Sequence, residues 1–282
     1  MIYPKKLDLN AYNTDDAPRY LYHYTKFSSA VNILKTGKFL LRALEKMNDP
    51  HEYRLRQTSG VVFDGNPSFQ ECADIVHKHD DAIAERKNAV RIASFSIDKK
   101  PHWCILSERG WNRMSMWTYY AESHAGVCLI FNRKQLEKDF KNTFGAVGQC
   151  YCRQIQYVNE CELNQYEEMF WKPNNSYLDE KNVDHLFVKA NCYAPEQECR
   201  LLLVNKDLKE STDIEFPIRN CICGIITGDK FDKSKNAAEL QAAIETCNKD
   251  IRTFEMDYNM PDDPLYSRAE RTEFINETLK NL

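Results

Sequence analysis

Residues 20–43 read YLYHYTKFSSAVNILKTGKFLLRA, and the pattern predicts strand, helix, strand. In YLYHYT, period-2 alternation places Tyr20, Tyr22 and Tyr24 on one face and Leu21, His23 and Thr25 on the other. The helix that follows has Ser28 as its expected N-cap and Ala30, Val31, Ile33 and Leu34 as its apolar side, and Gly37 ends it. KFLLRA is the second strand. Further along, RIASFSI (91–97), GVCLIF (126–131), CYCRQIQYV (150–158), CRLLLV (199–204) and CGIITG (223–228) predict five more strands. A polar helix is expected from about Ser68 to Asn88 and a short one over SMWTYYAESH (115–124). Between 99 and 113 the chain reads as irregular, with Trp103 and Trp111 over the core. Short strands with helices at irregular intervals, and no strict βαβ rhythm, predict an α+β fold of mixed, mainly antiparallel twisted sheets with flanking helices. One domain is expected over residues 1–282. Its motif-bearing part runs from about 20 to 230, and 231–282 form a helical C-terminal extension broken by MPDDP.

Composition removes several classes of function. Fourteen Phe, 15 Tyr and 4 Trp supply enough apolar surface to offset chain entropy, which excludes disorder as the main state. Runs such as GVCLIF and LLLV are far shorter than the roughly 20 residues a membrane span needs. MIYPKKLDLN has no apolar stretch behind its lysines, so no secretory signal is expected. A net charge of −4 exerts no global pull toward nucleic acid, leaving only a local basic groove as a route to it. Eleven cysteines, an odd number in a chain of this length, read as reduced thiols in a cytoplasmic protein. Cys150/Cys152 and Cys221/Cys223 have CxC spacing, which on a strand puts both sulfurs on one face; core thiols are expected, with no metal assigned.

Four clusters carry chemistry-bearing side chains. His23-Tyr24-Thr25 closes the first strand, where a neutral imidazole offers one donor and one acceptor to a ribose or carbonyl, or is satisfied by backbone. Asn48-Asp49-Pro50 with Glu52 makes an Asx-type turn that could also line a pocket. Trp117 and Tyr120 share a helix face, as core aromatics or as a stacking wall for a flat cationic ring. In Glu196-Gln197-Glu198-Cys199-Arg200, strand alternation would project Glu196, Glu198 and Arg200 together, with Cys199, Leu201 and Leu203 on the opposite face. A guanidinium beside a carboxylate keeps it ionised.

The order HYT, NDPxE, MWxxYA with a following Gly and strand, Lys189, ExExR and an apolar IxxG strand resembles the bacterial family called domain of unknown function 2971, over roughly Leu21 to Gly228. NDPHE, MWTYYAESHAG and EQECRLLL carry most of that resemblance. The layout is also similar, more distantly, to ADP-ribosyltransferases of the His-Tyr-Glu type. That resemblance implies NAD as substrate, with His23 on the adenosine-side ribose, Thr25 supporting the loop and Tyr120 stacked on nicotinamide. It further implies Glu198 on the 2′-hydroxyl of the nicotinamide ribose. From the chemistry of the strand itself, Arg200 would keep Glu198 ionised and Glu196 could orient the acceptor nucleophile. Tyr24, Asn48, Asp49 and Trp117 complete the expected NAD-binding set.

The resulting expectation is an enzyme that cleaves the nicotinamide glycosidic bond and transfers ADP-ribose to a protein or nucleic acid. A toxin or anti-phage role, a neutralising antitoxin or immunity protein and no membrane partner go with it. Two other readings stay open: a non-catalytic nucleotide- or partner-binding defence module, and a metal-dependent nuclease using Asp49, Glu196 and Glu198 around Mg²⁺. Against the nuclease, the strand carries ExExR where such an enzyme needs a Lys for the attacking water.

Overall fold

A computed structural model describes residues 19–49, 52, 68–99, 109–163, 183–208, 210 and 212–256. Among them the strands are β1 (Tyr20–Thr25), β2 (Lys38–Ala43), β3 (Val90–Ser96), β4 (Val127–Asn132), β5 (Gln149–Gln154), β6 (Gln156–Val158), β7 (Val188–Ala190), β8 (Glu198–Val204), β9 (Ile214–Pro217), β10 (Ile222–Thr227) and β11 (Arg252–Glu255). The helices are α1 (Phe27–Thr36), α2 (Phe69–Asn88), α3 (Met114–Tyr120), α4 (Arg133–Phe144) and α5 (Lys233–Cys247). The main sheet runs β11-β10-β4-β1-β3-β2-β9, with β8 also on β3 and β5 beyond β8. All its pairings are antiparallel except β10–β11. The fold is therefore mixed α+β with a mainly antiparallel sheet, as the strand pattern predicts. Trp103 and Pro50 lie outside the described residues, as do residues 257–282 of the expected helical extension. Among the described residues no helix is long and apolar enough to cross a membrane.

The alternation of β1 sets the two sides of the sheet. Leu21 enters a core with Phe39, Phe95, Leu129, Phe131, Leu201 and Leu203. Tyr20, Tyr22 and Tyr24 enter a second core with Trp111, Trp117, Ile130 and Ile226. Each of these large side chains contributes about 1.5–3 kcal/mol by leaving water. α1 lays Ala30, Val31 and Leu34 on the first core and stops at Gly37, whose φ of 66° is the left-handed conformation that favours glycine. Gly37→Ala is expected to cost about 1 kcal/mol or more, read as a lowered melting temperature, because Arg219 also packs where a Cβ would go.

Several elements depart from the sequence expectation. The N-cap of α1 is Lys26 rather than Ser28, and no local side chain caps it; the Phe27 N–H donates instead to Glu122 Oε2 at 3.0 Å. By contrast Ser68 and Glu71 form a reciprocal capping box on α2. The single strand expected over 150–158 breaks at Ile155, whose N–H donates to the Glu198 carbonyl at 2.9 Å, and β6 leaves to pair with β7. The second CxC pair does not share a face. A register shift between Ile222 and Gly224 sends Cys221 into the first core and Cys223 against the tyrosine-lined one. α4, β7, β9 and β11 have no counterpart in the sequence reading; α4 shows an apolar spacing at Leu136, Phe140 and Phe144.

The sheet opens beside β1. That strand touches β3 at the single register position Tyr22↔Ser96, whereas β2 meets the other end of β3 at Arg42↔Ile92 and Ala43↔Arg91. Between those contacts, around Ser94, a gap remains. On its far edge β3 pairs with β8 from Val90↔Val204 to Ser96↔Glu198, so the first residue of β8 sits at the opening.

Candidate active site

A cleft of about 120 Å³ lies at this opening, lined among others by His23, Asp49, Tyr120, Lys189, Glu196 and Glu198.

Glu198 is the centre of the site. It is 3% exposed, and three charge-assisted contacts hold its carboxylate: Arg200 Nε to Oε1 at 2.8 Å, Arg200 Nη2 to Oε2 at 3.2 Å and Lys189 Nζ to Oε2 at 2.8 Å. Burial pushes this carboxyl up, but Arg200 and Lys189 outweigh it and hold it well below the usual carboxylate range. Its backbone N–H donates to Tyr157 Oη at 2.8 Å. Arg200 is buried beneath the cleft, where it also donates to the Leu186 carbonyl at 2.7 Å and to Glu52 Oε1 at 2.5 Å. Lys189 Nζ bridges to Glu196 Oε2 at 3.1 Å and lies 5.1 Å from the Tyr193 ring centroid. Burial acts to lower the Lys189 ammonium, but Glu198 and Glu52 lead the carboxylates that raise it above its ordinary range.

Glu196 reaches the site by a different route from the one its spacing predicts. It ends a 3-10 turn (Asn191–Glu196), and Gln197 takes the left-handed conformation (φ 43°) before β8 begins. Strand alternation therefore does not apply across Gln197. The turn still delivers Glu196 to Lys189, and Glu196 Oε1 accepts from Tyr120 Oη at 3.1 Å. Gln197→Val is expected to cost about 1–2 kcal/mol and Gln197→Gly to be tolerated, measured by denaturant midpoint.

The other expected residues divide. Tyr120 lines the cleft, its phenol pushed up to about 12 by burial and by Glu196. Asn48 and Asp49 line it too, as does Tyr24, whose hydroxyl donates to the Gly110 carbonyl at 2.8 Å. His23 lines the cleft while its ring packs edge-on against Phe39 (4.6 Å) and Phe95 (6.0 Å). Its Nδ1 faces the Ser94 carbonyl at 3.2 Å; a carbonyl only accepts, so Nδ1 carries the proton. Trp117 and Thr25 lie outside the lining. Trp117 is fully buried, donates from Nε1 to the Trp111 carbonyl at 2.9 Å and packs edge-on to Tyr24, because an indole on the inner face of α3 is drawn into the tyrosine-lined core. Thr25 is buried in β1 opposite Val127. Arg200 supports the lining from below.

Burial lowers the His23 pKa from 6.5 to about 4, so the folded protein keeps this ring neutral. The unfolded chain binds the proton more tightly, so stability is full above about pH 6.5. It is lost as the pH falls toward 4, by up to about 3 kcal/mol. His23→Gln should flatten that part of the pH–stability curve, measured by urea unfolding between pH 7 and 4.

Three groups were missed or passed over by the sequence reading. Lys189 entered only as part of a resemblance, although a lysine in the apolar run LFVKA already signals a buried, paired ammonium. Tyr157 and Tyr193 carry no local signal. A second buried ion pair, Arg109 Nη1 to Asp98 Oδ2 at 2.7 Å, stands behind Tyr22, which lines the cleft.

Comparison with known proteins finds one partial family match. Residues 116–201 match the family model described as Protein of unknown function (DUF2971). The matched segment is shorter than the expected Leu21–Gly228; it includes Tyr120, Lys189, Glu196, Glu198 and Arg200 and leaves out His23, Asp49 and Glu52. No curated protein matches. Among solved structures, DarT from Thermus sp. 2.9 in complex with carba-NAD+ is similar at 13% identity, over 88% of this chain and 98% of that one, with a TM-score of 0.34. The same protein in complex with NAD+ is similar at 12% identity, over 85% and 96%, again with a TM-score of 0.34.

Proposed function

We propose that this chain cleaves the nicotinamide glycosidic bond of NAD and transfers ADP-ribose to a macromolecular acceptor. The observation that carries this reading is Glu198, a carboxylate kept ionised by two buried cations at the floor of an acidic, aromatic-walled cleft. Breaking that bond builds positive charge on the ribose carbon, and a fixed carboxylate aimed at it favours the transition state over the ground state. The lining supports the assignment of ligand end. Among the described residues the lining holds four carboxylates, Asp49, Glu52, Glu196 and Glu198, against one ammonium, Lys189, which Glu196 and Glu198 already occupy. Such a wall suits the cationic pyridinium and its ribose, with Tyr120 as the stacking partner. The pyrophosphate would be held by residues beyond this lining. Glu196, anchored by Tyr120 and Lys189, is the candidate for orienting the acceptor nucleophile.

The nuclease reading is weakened by Lys189, whose ammonium fills the point between Glu196 and Glu198 where a divalent ion would sit. The non-catalytic reading draws on the same contacts, since they hold Glu198 firmly even without ligand. Incubation with labelled NAD and a cell lysate separates these readings. Release of nicotinamide with label on protein or nucleic acid supports the transferase and names its acceptor. Release without transfer supports NAD hydrolysis, and absence of both sinks the proposal. A toxin or anti-phage role, a cytoplasmic location and a neutralising partner belong to the same proposal. They are tested by expression of wild type and Glu198→Gln in cells, where only the wild type should arrest growth.

A further inference from the structure

Among the described residues, two polar atoms at the cleft are buried without a hydrogen-bond partner: Glu52 Oε2 and Ser94 Oγ. Both residues line the cleft, from opposite directions in the chain, Glu52 after the Asn48-Asp49 turn and Ser94 from β3. The Glu52 side chain is nine-tenths buried, and its other oxygen, Oε1, accepts from Arg200 Nη2 at 2.5 Å. The two carboxylates on Lys189 differ. Each oxygen of Glu198 and of Glu196 already holds at least one donor. A buried acceptor without a donor is costly, and at the wall of a cleft a donor from a ligand would relieve that cost.

We propose that Glu52 Oε2 and Ser94 Oγ form a ligand-recognition pair that takes a neutral hydrogen-bond donor of the substrate. This rests on the reading of the cleft as the site for the nicotinamide–ribose end of NAD. Two groups at that end carry such a donor, the carboxamide of nicotinamide and a hydroxyl of its ribose. For the carboxamide, the N–H donates to Glu52 Oε2 and the Ser94 hydroxyl donates to the amide oxygen. For the ribose, one hydroxyl donates to Glu52 and Ser94 serves its neighbour. Arg200 fixes Glu52 from behind, so one guanidinium positions both Glu198 and the recognition carboxyl. Burial pushes the Glu52 carboxyl up, while Arg200 and Lys189 act against it.

The test is equilibrium binding of NAD+ and of nicotinic acid adenine dinucleotide to wild type, Glu52→Gln and Ser94→Ala. Glutamine keeps an oxygen for Arg200 and puts an N–H donor where Oε2 stood. Ser94→Ala removes only the hydroxyl and leaves the carbonyl that holds His23, so it reports on recognition even if Glu52→Gln folds poorly. We expect NAD+ to bind about tenfold or more weakly to Glu52→Gln and about threefold to tenfold more weakly to Ser94→Ala, which should melt like wild type. A preference for NAD+ over the acid analogue that collapses in Glu52→Gln assigns the donor to the carboxamide. A preserved preference with both ligands weakened assigns it to the ribose. Wild-type binding with neither variant weakened overturns the pair and leaves the NAD reading standing. No NAD+ binding by wild type overturns both.

Discussion

Glu198→Gln is expected to lower nicotinamide release from NAD by about 10²–10³-fold, the loss typical when one preorganised charge-stabilising group is removed from an active site. The glutamine keeps the shape of the side chain and one oxygen for Arg200, though it turns an amide N–H toward the Lys189 ammonium, so its fold should be damaged less than that of Glu198→Ala. Glu198→Ala is a poorer probe of chemistry. It leaves the Lys189 ammonium and the Arg200 guanidinium facing an empty position in a buried site, and removing one partner of a buried pair costs about 3–5 kcal/mol. The comparison is therefore decisive when kcat and thermal stability are measured on both variants. A Glu198→Gln protein that melts near wild type and still releases nicotinamide at the wild-type rate would exclude Glu198 from the chemistry. A low rate in Glu198→Ala alone would report only the damaged fold.

Arg200→Leu is expected to have the largest effect on stability. The guanidinium is fully buried and serves Glu198 through two nitrogens, Glu52 through one of these, and the Leu186 carbonyl through its third. Leucine would leave Glu198 with Lys189 alone, and Glu52 and the Leu186 carbonyl without the Arg200 donor, a loss of about 3–5 kcal/mol. At the usual scaling for a chain of this size that is a fall in melting temperature of roughly 10 °C. Arg200→Lys should rescue little of it, because an ammonium has one charged point where the fork reaches three acceptors. Urea unfolding of Arg200→Leu with and without Glu52→Gln gives a second check. If Arg200 holds Glu52 as the distances indicate, removing the stranded Glu52 carboxylate should return part of the loss, whereas strictly additive losses would refute that link.

The spacing within YLYHYT carried more information than any other stretch. Its alternation correctly separated the Leu21 face from the Tyr20, Tyr22 and Tyr24 face, because a strand buried between an aliphatic–Phe core and a Tyr/Trp-lined core imprints its two environments directly on its residues. The same rule failed two residues before β8. Gln197 is left-handed, so Glu196 arrives from a 3-10 turn rather than along the strand, and no local signal in Glu-Gln-Glu announces that turn. Trp117 shows a second limit. Helical spacing put it beside Tyr120, but which of the two aromatics faces the core is set by what packs against α3. Ser28 shows a third, since the cap of α1 comes from Glu122, ninety-five positions away from Phe27.

By itself the sequence determined the α+β class, the alternation of β1, the ends of α1 at Gly37 and of α2 at Ser68, and the presence of Glu196, Glu198 and Arg200 within five residues. These are local properties, decided by side-chain period, backbone conformational preference and capping chemistry. Only the tertiary structure decided that the sheet opens between β1 and β3, that Lys189 bridges Glu196 and Glu198, and that Arg200 reaches Glu52 across 148 positions. A buried charge is stable only where its counter-charges converge on it, and that convergence comes from chain segments brought together by the packing of the two cores.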